Sequence, residues 1–145
     1  MAFHFSLAAV LLVRENAKKR EEQALQAIQM EMARIRRQVE ELSVEIASTH
    51  HAREREMQHP IPGAHLHSFL ERIETIKETR KSLLERLEAM EVDRERQMNA
   101  YQAAHRDHET IVEMFNEQRE AHELQQGRTE QKYIDDVFAA RSQRN

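Results

Sequence analysis

Cysteine and tryptophan are absent from this chain, and glycine and proline occur only twice each. Without cysteine the protein has neither a disulfide bond nor a thiol nucleophile, which is compatible with a reducing compartment such as the cytoplasm. Two glycines and two prolines are too few for the many turns of a sheet-rich fold. They are also too few for the glycine-rich loops that bind phosphates in nucleotide enzymes. These absences favour a helical chain without nucleotide chemistry.

Long apolar runs are scarce as well. The run at 6–13 (SLAAVLLV) is followed at once by Arg14, whereas a membrane-spanning helix needs about 20 apolar residues. A signal peptide carries basic residues before its apolar stretch, but here Lys18, Lys19 and Arg20 come after it. We therefore expect neither a membrane-inserted helix nor a cleaved signal.

Charged residues make up 33% of the chain and apolar residues only 39%. An average globular domain has roughly 25% charged and 45–50% apolar residues, so this chain is short of material for a thick core. The abundant Glu, Arg, Gln, Ala and Leu are strong helix formers. The 22 basic and 26 acidic residues are interspersed, and no long basic stripe is present to bind nucleic acid.

Apolar residues recur at alternating steps of three and four, which is the heptad pattern of a coiled coil. One seam consists of Leu25, Ile28, Met32, Ile35, Val39, Leu42 and Ile46. A second seam consists of Leu66, Phe69, Ile73, Ile76, Arg80, Leu83, Leu87 and Met90, and continues with more polar members to Phe115. The pattern predicts two long helices that pack on each other.

Pro60 and Pro62 separate the two seams and cannot lie inside a helix. We predict one unit over 1–145, with helix 1 at 1–57, a tip loop at 58–65, helix 2 at 66–126 and a C-terminal helical extension at 127–145. Ser68 and Glu71 resemble a capping box, although helix 2 could begin as early as Gly63. The predicted fold is all-α, a long antiparallel two-helix coiled-coil hairpin with a projecting C-terminal helix. Residue n of helix 1 then faces roughly residue 123 − n of helix 2, to within a few positions.

Two apolar stripes have no apolar partner in this register. Near the loop, the unmatched residues are Leu66, Phe69, Leu70 and Ile73. In the extension they are Tyr133, Ile134, Val137 and Phe138, which we call the tail face. Unmatched stripes are candidate docking surfaces. The alternatives are that Ile61 and Met57 fold over the tip, that Phe3 and Phe5 cover the tail, or that two molecules dimerise.

No nucleotide-binding or hydrolase motif occurs in the sequence, and we assign no catalytic, cofactor-binding or metal-binding residue. Histidine is the one enriched reactive residue type. The histidines near the loop are His50, His51, His59, His65 and His67. Imidazoles suit zinc, copper or nickel, but neither cysteine nor a helical His-x-x-x-His pair accompanies them. A solvated polar tip is the favoured interpretation, with a metal site as the alternative.

The two ends of the chain resemble the FliJ family of flagellar type III export proteins. The N-terminal part of the resemblance is Met1-x-Phe3-x-Phe5-x-Leu7-x-x-Val10-Leu11-Leu12-x-Arg14-Glu15. The C-terminal part is Glu130-Gln131-Lys132-x-x-Asp135-Asp136-x-x-x-x-Arg141. The length and the two long helices agree with it, whereas Pro60 and Pro62 match no motif of the family.

The resemblance implies a non-enzymatic protein, cytoplasmic and peripheral to the inner membrane at the flagellar base. It implies a coiled coil like the central stalk of a rotary ATPase, with the hexameric export ATPase, the cytoplasmic domain of the export gate and export chaperones as partners. The candidate contacts to the ATPase ring are Arg14, Lys18, Lys132, Tyr133, Asp136, Val137, Phe138 and Arg141. The candidate contacts to the gate are the unmatched residues near the loop. The alternatives are the equivalent stalk of a virulence secretion system and a dimeric coiled-coil scaffold or adaptor.

Overall fold

A computed structural model describes residues 2–144, which form two α-helices joined by a short loop. Helix α1 spans Ala8–Glu56 and helix α2 spans Gly63–Gln143. The two helices pack against each other, and residues 2–144 contain no strand. The predicted all-α helical hairpin is thereby confirmed. Met1 and Asn145, at the ends of the predicted unit, lie outside the described residues.

Helix α1 begins later than the predicted start at residue 1. Residues 2–5 are not helical, and a turn at 6–7 leads into the helix. The Ala8 N–H donates to the Phe5 carbonyl at 3.1 Å, and the Leu11 N–H donates to the Leu7 carbonyl at 2.9 Å. The non-helical start has a physical reason, because it lets Phe5 turn onto α2 and bury its ring.

The loop between the helices covers 57–62 and ends at Pro62. The Pro62 carbonyl accepts hydrogen bonds from the His65 N–H at 3.0 Å and the Leu66 N–H at 3.3 Å. Proline has a helix-compatible φ and lacks only an N–H that a first-turn residue does not need, so α2 can begin directly after it. Ser68 consequently lies inside α2 and does not cap it.

Helix α2 continues without a break through Gly127, where the extension was predicted to begin. A glycine inside a helix costs about 1 kcal/mol relative to alanine, which is too little to end an 81-residue helix by itself. No heavy atom lies within 4 Å of the position that a Cβ at Gly127 would occupy, so no close approach requires glycine there. The extension is therefore the last part of α2.

The chain divides into two compact units, and the first consists of residues 22–100. Its core contains Leu25, Met32 and Ile35 from α1, together with a cluster in which Leu42 packs against buried Ile46, Ile73 and Ile76. Across the helices, Arg80 donates from Nη1 to the Ser43 hydroxyl at 3.3 Å, which is the pairing that the predicted register gives. The seam residues are buried or half-buried throughout this unit.

The second unit combines residues up to Glu21 with residues from Tyr101 onward. Here α1 and α2 are joined by an ion pair in which Arg14 Nη1 lies 3.3 Å from Asp107 Oδ2. The predicted register places residue 109 opposite Arg14, so the observed partner is two positions away. Among the residues of this unit that the structure describes, the buried apolar side chain is Phe5, which packs on Phe115 of α2.

Candidate functional site

The tail face is the most exposed apolar surface on α2. Tyr133, Ile134 and Phe138 are 70%, 55% and 75% exposed, and Val137 is half-buried. In the whole stretch 123–144, every residue except Gln126 and Val137 is exposed. At 100° per residue the four tail-face side chains form one stripe along the helix. This part of α2 therefore presents an apolar stripe that no other described segment buries.

Charged residues surround the tail face. Three of the candidate contacts to the ATPase ring are charged and exposed: Lys132, Asp136 and Arg141. Glu130 lies one turn before the tail face and Arg141 one turn after it. Thr129, Glu130, Tyr133 and Ile134 line a shallow groove at its N-terminal edge. The arrangement suits the docking of a helix or loop that carries apolar side chains, and it holds no catalytic constellation.

An aromatic cluster lies between the N-terminal segment and α2. The Phe5 ring meets the Phe115 ring edge-on with centroids 5.2 Å apart, and Phe3 does so at 5.4 Å. Phe3 also contacts His122 at 5.5 Å, and the Arg119 guanidinium lies 5.7 Å from the centre of the Phe115 ring. We call this arrangement the aromatic clamp.

The contacts of the aromatic clamp test the alternative that Phe3 and Phe5 cover the tail face. The ring contacts of Phe3 and Phe5 are with Phe115 and His122, and His122 precedes Tyr133 by eleven residues. The two phenylalanines therefore cover α2 up to His122 and leave the tail face exposed. The N-terminal segment does not cover the tail face.

Arg14 and Lys18 lie apart from the other proposed ring contacts. Arg14 is paired with Asp107, and Lys18 is half-buried on α1. Asp107 and Lys132 are 25 residues apart on one helix, which corresponds to roughly 37 Å along its axis. The structure thus does not bring the α1 cations together with the tail face.

Near the loop, one of the four proposed gate contacts is buried. Ile73 is only 4% exposed, because it packs with Ile46 and Ile76 in the core. The interpretation of Ile73 as a contact residue is therefore corrected. The predicted register pairs Ile46 with Ile76 to within one position, and Ile73 shares their buried cluster, so the core reaches one turn farther toward the loop than predicted.

The other three residues near the loop remain accessible, and we call them the tip surface: Leu66, Phe69 and Leu70. Leu66 and Phe69 are half-buried, whereas Leu70 is 46% exposed. The His65 ring stacks on Phe69 with centroids 5.3 Å apart, and His65 Nδ1 lies 3.5 Å from Glu56 Oε2 on α1. Of the two residues that the alternative places over the tip, Met57 is exposed and Ile61 is half-buried.

The histidines do not assemble into a metal site. Within residues 2–144, no group of three or more His, Asp or Glu side chains is arranged to hold a metal ion. His67 pairs with Glu71 one turn along the same helix at 3.1 Å. Farther along α2, His105 and His108 have buried Nδ1 atoms without a hydrogen-bond partner, as part of a polar layer in the helix pairing. These histidines offer no catalytic geometry.

Two ion pairs on the helix surface shift the pKa values of their carboxylates and guanidinium groups. A hydrogen bond from Arg34 lowers the pKa of Glu31, and a hydrogen bond from Arg94 lowers the pKa of Glu91. The same contacts raise the pKa of the two arginines. Both pairs join residues three apart on one helix, so they support local helix structure and mark no reactive site.

Sequence reasoning missed three residues around these surfaces. Arg119 stacks on Phe115, and its spacing of four residues on a helix was the signal that could have indicated it. Glu130 belongs to the edge of the tail face, which a helical projection of 126–144 would have shown. Leu124 is 58% exposed, and it follows the last residue that the N-terminal segment reaches.

The sequence model of the family described as "Flagellar FliJ protein" matches residues 3–145. The chain belongs to the FliJ family. As a FliJ-family protein it is a coiled-coil component related to flagellar export, and the family is non-catalytic. No match was found among curated proteins or among solved structures. Within residues 2–144, neither helix has the length and hydropathy needed to cross a bilayer.

Proposed function

We propose that this chain is a central-stalk-like coiled coil that binds and activates the hexameric ATPase of flagellar type III export. In this proposal it also links the ATPase to the cytoplasmic domain of the export gate and to export chaperones. The protein works in the cytoplasm, peripheral to the inner membrane at the flagellar base. Its contribution is mechanical, since it supplies stiff helices and docking surfaces and performs no chemistry itself.

The observation that carries the proposal is the exposed tail face on an otherwise solvated stretch of helix. Isolated apolar side chains on a surface are common, but four on one stripe are not required by the helix and mark an interaction surface. A single helix is narrow, about 10–12 Å across with side chains, so it can enter the pore of a ring. Arg141 at the end of the tail face, and Lys132 and Asp136 on other sides of the same helix, offer charges to the ring.

The position of Arg14 and Lys18 restricts their part in the proposal. Arg14 lies roughly 37 Å along the helix from Lys132 and Lys18 about one turn farther, so they contact the ATPase only if the ring surrounds α1 as well as the last part of α2. If the ring surrounds only the last part of α2, the tail face contacts the ATPase without Arg14 and Lys18.

The tip surface is the proposed contact for the export gate. It belongs to the other compact unit and combines apolar side chains with the polar histidines of the loop. Leu66, Phe69 and Leu70 are the proposed contact residues, and Ile73 supports them from the core. Two surfaces on separate units allow two partners to bind without competing for the same residues.

The test is stimulation of the purified export ATPase by the full-length chain and its variants. We expect Phe138→Ala combined with Tyr133→Ala to reduce stimulation at least about tenfold, because two exposed aromatic anchors are lost. Leu70→Ala should leave stimulation unchanged and weaken binding to the gate domain. Met30→Ala removes an exposed apolar side chain outside both surfaces, and is the matched control for both assays.

The proposal requires that the tail-face variant impairs ATPase stimulation and that the tip-surface variant impairs gate binding. Full stimulation by the Tyr133/Phe138 double variant would show that the tail face does not dock on the ATPase. Equal loss of both activities in every variant would indicate damage to the coiled coil, which circular dichroism would reveal.

A further inference from the structure

We infer that the tail face also pairs with the tail face of a second copy of this chain, in an antiparallel arrangement. This self-association is a property of the free protein and does not depend on the ATPase. It uses the same residues as the proposed ATPase contact, so the paired form and the form docked on the ring exclude each other.

The distribution of charge on the tail face is two-fold self-complementary. At about 100° per residue, Tyr133, Ile134, Val137 and Phe138 form a stripe about 140° wide. Glu130 before it and Arg141 after it both lie within about 10° of the middle of this stripe. Along the helix, the face therefore begins with an acidic residue, continues with apolar residues and ends with a basic residue. All six residues except half-buried Val137 are exposed.

An antiparallel copy matches this face residue by residue. With the two-fold axis between Asp135 and Asp136, Tyr133 lies opposite Phe138 of the second copy, and Ile134 lies opposite its Val137. Glu130 then lies opposite Arg141, and symmetry provides this pair twice. A parallel copy would instead place Glu130 on Glu130 and Arg141 on Arg141. Charge complementarity thus selects the antiparallel form.

The carboxylates beside the axis do not oppose the pairing. Asp135 and Asp136 point about 130° away from the middle of the stripe, on opposite flanks of the helix. Asp135 Oδ1 also accepts a hydrogen bond from Gln131 Nε2 at 2.9 Å within the same helix. Neither carboxylate enters the apolar contact.

The groove at the edge of the tail face provides a place for an apolar side chain. Its four lining residues, Thr129, Glu130, Tyr133 and Ile134, are two pairs of neighbours one helical turn apart. In the antiparallel register these residues face 137–142 of the second copy, so Phe138 or Val137 supplies the knob. Since only about four apolar side chains per copy take part, we expect a weak and reversible dimer rather than an obligate one.

The test measures self-association of the full-length chain by sedimentation over a range of concentrations. Glu130→Arg alone and Arg141→Glu alone each place like charges opposite each other twice, and should weaken the dimer about tenfold. Both changes in one chain restore opposite charges and should return the affinity to within about threefold of the original. Arg128→Glu has the same change in net charge as Arg141→Glu but lies about 150° from the middle of the stripe, and should have no effect.

Recovery in the double variant would support antiparallel pairing, because a general effect of charge on solubility or folding would not recover. A chain that stays monomeric up to about 1 mM, or a double variant as weak as the single ones, would overturn the inference. The ATPase assay is separate, so a failure of the charge exchange leaves the proposed function standing. A failure of stimulation likewise leaves the dimer standing.

Discussion

At the scale of single residues, two arginines in the helix seam show how a polar side chain is accommodated between packed helices. Arg80 is half-buried and reaches Ser43 on the other helix. Arg94 is also half-buried, but its guanidinium turns back to Glu91 on its own helix. Long side chains keep their stems in the interface and their charges in water, so neither arginine is left as an unpaired buried charge.

Ile35 is the residue on which we expect the pairing of α1 and α2 to depend most. It is 0% exposed, so Ile35→Ala removes buried apolar atoms and leaves a cavity, which should lower the free energy of unfolding by about 2–4 kcal/mol. Met30→Ala, at a position 72% exposed on the same helix, should change it by less than about 0.5 kcal/mol. Urea unfolding followed by circular dichroism measures both. Equal values for the two variants would contradict the assigned core.

The sequence allows the buried residues to be predicted well where the heptads are regular. Leu25, Met32, Ile35 and Ile46 were all expected in the seam and all are buried. The burial of Ile73 could not be predicted, because it depends on how far the core extends toward the loop. Periodicity in a single sequence indicates the face of a helix that packs, but not where along the helix the packing ends.

At the scale of elements, the short N-terminal segment at 2–7 holds the start of α1 against α2. It is not helical, yet it places two aromatic rings on Phe115 and so holds the first turns of α1 against α2. Aromatic pairs of this edge-on kind contribute about 0.5–1.5 kcal/mol beyond the burial of their surface. The aromatic clamp therefore ties down a chain end that would otherwise fray.

We expect Phe5→Ala to loosen the start of α1. Phe5 is buried at 5% exposure, and without its ring the clamp keeps only the half-buried Phe3. Tryptic cleavage at Arg14 should become at least about fivefold faster, because cleavage requires local opening of the helix. Phe138→Ala removes an exposed aromatic ring from the tail face and should leave the cleavage rate unchanged. An unchanged rate in Phe5→Ala would mean that the clamp does not hold this end.

The elements themselves could be predicted from the sequence, but their ends could not. Pro60 and Pro62 located the loop, since proline excludes a helix interior. The start at Gly63 was left open against Ser68, because both positions offer an acceptable first turn. The tail face was visible as a stripe without a partner, whereas Glu130, although part of the C-terminal motif, was not assigned to this face because a charged residue in a charged chain gives no periodic signal.

At the scale of the whole molecule, apolar burial is unequal between the two compact units. Among the described residues, Phe5 is the one buried apolar side chain in the unit made of the chain ends. The buried apolar side chains of the other unit are Leu25, Met32, Ile35, Ile46, Ile73 and Ile76. Hydrophobic burial is the main favourable term in folding, so the residues at 22–100 should form the more stable unit.

This inequality predicts a gradient of amide hydrogen exchange along α2. Amides at 72–83 belong to the stretch of α2 that packs on α1 around the buried Ile73 and Ile76. They should exchange at least about 100-fold more slowly than those at 128–143, which have only their own helix to protect them. Mass spectrometry on a dilute sample measures this difference for the monomer. Strong protection of 128–143 in the dilute monomer would contradict the view that this part of α2 lacks packing partners.

The same measurement at high concentration, or with the export ATPase, then reports which partner covers the tail face. Protection of 128–143 that grows with the concentration of the chain, and that requires about tenfold more chain in Arg141→Glu, identifies the second copy, because the self-complementary pairing needs Arg141 opposite Glu130. Protection that appears on adding ATPase and disappears in the Tyr133/Phe138 double variant identifies the ring. If both occur, excess ATPase should abolish the dependence on the concentration of the chain, since one apolar stripe on one helix cannot contact both partners at once.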